Sequence, residues 1–161
     1  QRDRFMARIS MGYPDQESEI EMLRTRATSS PLDALTPVIG SAELSSMITT
    51  VRSVFASPPV EQYAVAIAQA TRRDSELRLG ASPRATLQLV RAAKARAALD
   101  GREFVLPDDI NALAVPVLSH RLIPSGRVGI TVGGYSGETS AEIVTRIVAE
   151  TPVPLGARHD D

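Results

Sequence analysis

The chain has 161 residues, 43% of them hydrophobic and only 4% aromatic, with 18 basic and 19 acidic side chains and a formal charge of −1. This is the length of one domain, and it can bury a core without a disulfide or a metal. The absence of cysteine excludes disulfide frameworks, thiolate catalysis and zinc ribbons, while the balanced charge gives no net field toward nucleic acid or an acidic membrane.

Two histidines far apart in sequence, His120 and His159, do not make an imidazole cluster, so no metal site is expected. No apolar run approaches the ~20 residues that span a bilayer and nothing resembles a signal peptide; a cytoplasmic location is expected. With Trp absent, Ala, Leu, Val and Ile must build the interior, which favours closely packed helices.

Taken in chain order, Phe5, Ala7, Ile9 and Met11 alternate with Met6, Arg8 and Ser10, the period of a strand, which Gly12-Tyr13-Pro14 ends. Its ladder groups need a partner, yet no sheet-forming run follows until late in the sequence. This orphan strand is expected to be disordered, to pair with a later hairpin, or to be captured by a second copy, and the chain reads as a piece of a longer polypeptide. Asp15 caps a predicted helix through about Arg26, with Ile20 and Leu23 facing inward. Thr28 to Gly40 reads as a linker.

A helix is predicted from about Ala42 to Phe55, striped by Leu44, Met47, Ile48, Val51 and Phe55. Ser57 then caps another, opened by Pro58 and Pro59 and lined by Val60, Tyr63, Ala64, Ile67 and Ala68. Ser82 and Pro83 open an Ala-rich helix to Leu99, stopped by Asp100-Gly101, and Pro107 begins a fifth carrying Ile110, Leu113, Ala114, Val117 and Leu118. Arg121–Ile123 and Val128–Val132 are expected to pair as a hairpin around Ser125-Gly126. Gly133–Gly137 reads as a loop, and Thr139 with Glu142 forms a capping box for a last helix.

The expected fold is thus mainly α, a helical bundle with a short β-hairpin near 121–132 and an orphan N-terminal strand. Its expected divisions are a terminal strand at 1–14, a first helix and linker at 15–40, a helical domain at 41–151 and a tail at 152–161.

Gly80-Ala81-Ser82-Pro83-Arg84-Ala85 is the most informative stretch. With Ser82 as cap and Pro83 as first helical residue, Arg84 falls in the first turn, where the backbone N–H groups already present positive charge and a cation is disfavoured. A bound anion, such as a nucleotide phosphate, would relieve that repulsion and accept the guanidinium fork. An Arg on a solvated face, or paired with a nearby acid, fits the pattern as well. Arg4, ahead of the strand, could act as an arginine finger, but the tripeptide alone is nearly uninformative and reads first as a disordered terminal Arg. The chain has no G-x-x-x-x-G-K-[ST] loop, so it is not expected to hydrolyse a triphosphate unaided. Asp108-Asp109 reads as first-turn stabilisation, His120 as a helix-end residue, and Ala92–Ala98 as a close packing face.

Asp3-Arg4-Phe5, Arg8 through Pro14, Gly80 through Ala85, Ala98 through Arg102 and His120-Arg121-Leu122, in that order and spacing, resemble the C-terminal part of MoxR-type AAA+ ATPases. The resemblance implies an AAA+ lid-type bundle following a core domain of which 1–14 supplies the last strand. It assigns Arg4 as finger or sensor and Arg84 as the sensor 2 residue on nucleotide phosphates, within a motif formed by Gly80, Ser82 and Pro83. It further implies ATP as cofactor, with Mg held by the core and neither bound tightly by this piece, and ATP hydrolysis in the full-length protein.

The partners implied are that core, neighbouring subunits in a ring expected to be hexameric, and a client matured in a chaperone-like way; no membrane and no nucleic acid are expected. The chain departs from the family at Arg2, where an apolar residue is usual, and at Leu106, where a capping Thr or Ser is common; without another cap the fifth helix would lose about 1 kcal/mol. Two further readings stand beside this one. One is a winged-helix DNA-binding module with the 121–132 hairpin as its wing, and the other is a helical interaction domain without a ligand.

Overall fold

Apolar residues recurring at three- and four-residue spacing dominate the chain, and helices follow wherever a cap and a stop bracket them. The structure is a computed structural model that describes residues 2–26, 32, 35–125, 130–131, 134–135 and 139–154. Among the described residues the helices are α1 (Gln16–Arg26), α2 (Ser41–Ser53), α3 (Pro58–Arg73), α4 (Pro83–Leu99), α5 (Pro107–Leu118) and α6 (Ser140–Glu150). Short 3-10 turns cover Arg2–Arg4 and Ser119–Arg121. None of the helices is long and apolar enough to cross a membrane. The chain divides into two units, one comprising 1–8 with 49–161 and the other 9–48.

The first unit holds the core. Ile67 of α3, Leu89 of α4, Ile110, Val117 and Leu118 of α5, and Ile143 and Val144 of α6 have no accessible surface. Each contributes roughly 1.5–3 kcal/mol by leaving water. Ala85, Ala93 and Ala97 are equally buried along one side of α4, and α4 packs most extensively on α5. The Ala run therefore is the close-packing face expected, since a methyl group lets two helix backbones approach.

The helix ends show why the elements stop where they do. At the end of α4, Gly101 takes φ +71; its N–H reaches Ala98 C=O (3.0 Å) and that of Arg102 reaches Ala97 C=O (2.8 Å), a Schellman arrangement. At the start of α5, Leu106 has no capping oxygen, but its N–H donates to Asp109 Oδ2 at 2.8 Å, so the acid one turn on supplies the cap. Asp109 is buried and accepts a bidentate pair from Arg102, Nη1 at 2.8 Å and Nη2 at 2.7 Å, with Arg96 Nε at 3.3 Å. Burial pushes its carboxyl upward, yet the bonds from Arg102 and Leu106 and the two nearby guanidinium charges outweigh that and hold it below the usual carboxylate range. In α6 the capping box forms as expected, with Glu142 Oε2 accepting from Thr139 N–H at 2.7 Å.

The strands differ from the expectation. Phe5–Met11 forms no strand, because no ladder partner stands beside it among the described residues. Instead the Phe5 carbonyl accepts from Arg121, and Arg8 N–H donates to Pro116 C=O at 2.8 Å. Among the described residues Ile123–Pro124 (β2) does not pair with the expected partner run, of which 130 and 131 are described. It pairs antiparallel with Leu77–Leu79 (β1), a strand with too few residues to show a period, with Leu77 opposite Pro124 and Leu79 opposite Ile123. The late hairpin joins Ile130–Thr131 (β3) to Gly134–Tyr135 (β4), so the stretch read as a loop contains a strand. Residues 126–129, at the expected turn, lie outside the described residues. Phe55 and Phe104 form an isolated parallel bridge, with Phe55 N–H on Glu103 C=O at 2.8 Å.

In the second unit Asp15 caps α1 as expected, accepting from Ser18 N–H at 2.8 Å. Ile20 and Leu23 do not face a core: every residue from 9 to 48 whose side chain is described is exposed. Helix α2 carries no buried residue either, so its apolar stripe is unburied, with Leu44, Met47 and Ile48 all exposed; it ends at Ser53, and Phe55, expected on it, lies in the bridge to Phe104.

Candidate functional site

The turn from Gly80 to Arg84 is built on the end of α3. Thr71, fully buried, donates from Oγ1 to Ala68 C=O at 2.6 Å and accepts Ala81 N–H at 2.9 Å. Arg72 Nε donates to Ala81 C=O at 2.7 Å. Both polar groups of Ala81 are thus taken by consecutive side chains of α3. A Cβ on Gly80 would lie 2.6 Å from Thr71 O and 2.7 Å from Arg72 N and Cα, so only glycine allows the turn to lie against the helix end.

This platform delivers Ser82 with φ −73 and ψ 163 to the cap position, where Oγ accepts Ala85 N–H at 3.2 Å, and Pro83 begins α4. Arg84 follows in a first turn that contains no acid. It is exposed and makes no hydrogen bond or ion pair among the described residues. A cation so placed opposes the helix dipole by about 0.3–1 kcal/mol. The reading in which a nearby acid neutralises it finds no such acid among the described residues.

The N-terminal arm meets this turn at Asp3. Ser82 Oγ donates to the Asp3 carboxylate, 3.1 Å from Oδ1 and 3.3 Å from Oδ2. The same Oδ1 accepts Arg121 Nη1 at 2.9 Å. Arg121 is buried, and all five of its N–H groups find acceptors. Nε serves Val117 C=O at 2.9 Å, Nη1 the Asp3 carboxylate and carbonyl, and Nη2 the carbonyls of Phe5 and Met6. His120 Nε2 lies 3.1 Å from the Phe5 carbonyl, so His120 touches the arm rather than simply ending a helix.

Among the residues the sequence singled out, Gly80, Ser82, Pro83 and Arg84 stand together on one turn, and Asp3 brings the segment containing Arg4 onto it. Arg4 itself is exposed, and no hydrogen bond or ion pair among the described residues holds its side chain. The roles of Thr71, Arg72 and Arg121 were not visible in advance, since each depends on carbonyl or amide partners that the fold supplies. Among the described residues no grouping of His, Cys, Asp or Glu could hold a metal ion. Among the described residues β2 pairs with β1 and β3 with β4, so the 121–132 hairpin on which the winged-helix reading stood does not form there.

Residues 69–147 of this helical bundle match the AAA lid domain family. YeaC of Bacillus subtilis is 34% identical over 157 residues, 96% of this chain and 47% of that protein. Chaperone MoxR1 of Mycobacterium tuberculosis is 31% identical over 160 residues, 94% of this chain and 40% of that one. Protein MoxR of Paracoccus denitrificans is 32% identical over 143 residues, 77% of this chain and 42% of its own length. A crystal structure from Cytophaga hutchinsonii, described as that of a candidate ATPase, superposes with a TM-score of 0.78 at 26% identity, covering 95% of this chain and 48% of that one. The chain belongs to the MoxR family of AAA+ ATPases, of which it is the lid part. It spans about half the length, or less, of the relatives it matches.

Proposed function

We propose that this lid closes over ATP held by a core domain of the same chain and that Arg84 is its sensor 2 residue. The observation that carries this reading is the exposed guanidinium in the acid-free first turn of α4, which has no partner among the described residues. The site fits a phosphate: the dipole and the fork favour the same anion, while Ser82 and Pro83 hold the turn and Gly80 lets it seat on α3. Bound ATP, with Mg on the core, supplies the phosphoryl group that is hydrolysed. Arg84 binds and orients the phosphates, and Arg4, on the arm that Asp3 links to this turn, acts as finger or sensor.

The full-length protein works as a ring, most simply of six subunits, and passes the lid's movement to a client complex in a chaperone-like role. The name of the Mycobacterium tuberculosis relative supports that last element. The test is Arg84→Ala in the full-length protein. A charge-assisted contact contributes roughly 1.5–3 kcal/mol, so ATP turnover should fall about 10- to 100-fold while the circular dichroism spectrum is unchanged and the thermal midpoint does not fall, since a cation that opposes the helix dipole has been removed. Unchanged turnover would refute the assignment.

A further inference from the structure

The bond between Asp3 and Ser82 joins two segments far apart in sequence and demands an explanation beyond helix capping. A capping serine needs only its lone pair, which here accepts Ala85 N–H. Its proton could go to water, yet it goes to the Asp3 carboxylate. Nor is Asp3 required to seat the arm. Arg121 also holds the main-chain carbonyls of Asp3, Phe5 and Met6, and those bonds do not involve the Asp3 side chain. The carboxylate is 44% exposed, whereas the Arg121 side chain is 1% exposed, and a half-exposed ion pair adds little stability. What the carboxylate alone provides is a mechanical link. Its Oδ1 accepts from both Ser82 and Arg121, so the arm next to Arg4 and the turn next to Arg84 share one oxygen atom.

We infer that Asp3 is a positioning residue that sets Arg84 through Ser82, so that displacement of the arm is transmitted to the phosphate-facing turn of α4. This inference rests on the reading of Arg84 as a phosphate contact. It assigns no chemistry to Asp3 itself.

The experiment measures ATP turnover of the full-length protein for Asp3→Ala, Arg84→Ala, their combination, and Asp3→Asn, with thermal midpoints recorded alongside. A misplacement near 1 Å costs up to ~100-fold in rate, and Asp3→Ala should lower kcat about tenfold while the midpoint stays within a few degrees of wild type. Because Asp3 acts through Arg84, the double variant should turn over within about twofold of Arg84→Ala alone, where independent effects would multiply. Asp3→Asn keeps an Oδ1 that can accept from both donors and should recover most of the loss.

Wild-type turnover in Asp3→Ala, multiplying effects in the double variant, or an asparagine no better than alanine would each overturn the positioning role while leaving the phosphate contact intact. If Arg84→Ala itself turns over normally, the phosphate reading falls and takes this inference with it.

Discussion

At the scale of single residues, the candidate site depends on side chains that hold backbone rather than ligand. Thr71 and Arg72 occupy the N–H and C=O of Ala81, and Gly80 leaves room for that contact. Replacing Gly80 with Ala puts a methyl group 2.6 Å from Thr71 O, and neither the helix end nor the turn can yield cheaply. Overpacking of this kind costs about 1–3 kcal/mol, which should lower the thermal midpoint by roughly 2–4 °C per kcal/mol for a domain of this size. A calorimetric scan of Gly80→Ala against wild type checks this, and an unchanged midpoint would show that the turn does not bear on the helix as described. The value of Gly80 could be suspected from its place before a capping serine. Thr71 could not, because a threonine late in a helix carries no signal until Ala81 N–H is seen to meet it.

Among the elements, α4 shows the agreement between sequence and structure best. Its cap, its Pro83 opening, its alanine face and its glycine stop are each local features, and each formed as the residues imply. The alanine face predicts its own limit. Ala93 has no accessible surface on the helix that packs most extensively on α5, so Ala93→Leu overpacks the core around α4 and should cost about 1–3 kcal/mol, read as a lower denaturant midpoint with little change in helical content. Helix α5 shows where local reasoning ran short. Its missing cap looked like a loss near Leu106, but Asp109 closes the gap because Arg102 and Arg96 fix that carboxylate one turn on. The N-terminal segment has a strand's alternation and no neighbour to pair with, so Arg121 and Pro116 take its backbone groups instead.

On the scale of the whole molecule, the buried Asp109 ties stability to pH. Its carboxyl is held below the ordinary range, so the folded state binds its proton less readily than the unfolded chain, whose carboxylate titrates near ~3.9. The resulting stabilisation is fully present above that value and is lost as pH falls through the lower, folded-state titration. Denaturant midpoints should therefore drop on acidification below about pH 4, and Asp109→Asn, less stable at neutral pH, should show a flatter decline over that interval. An equally steep profile in the variant would place the acid sensitivity elsewhere.

The amino-acid order determined the helices of the bundle, the capped turn that carries Arg84, and the likeness to MoxR proteins, because helix periodicity, caps and stops act within a few residues of one another. Tertiary structure alone decided the rest: that Leu77–Leu79 finds Ile123–Pro124, that Asp109 meets Arg102 and Arg96, and that Asp3 joins Ser82 to Arg121. Those contacts join short segments or lone charges whose partners become neighbours only when α3, α4 and α5 pack. No period in the sequence announces them.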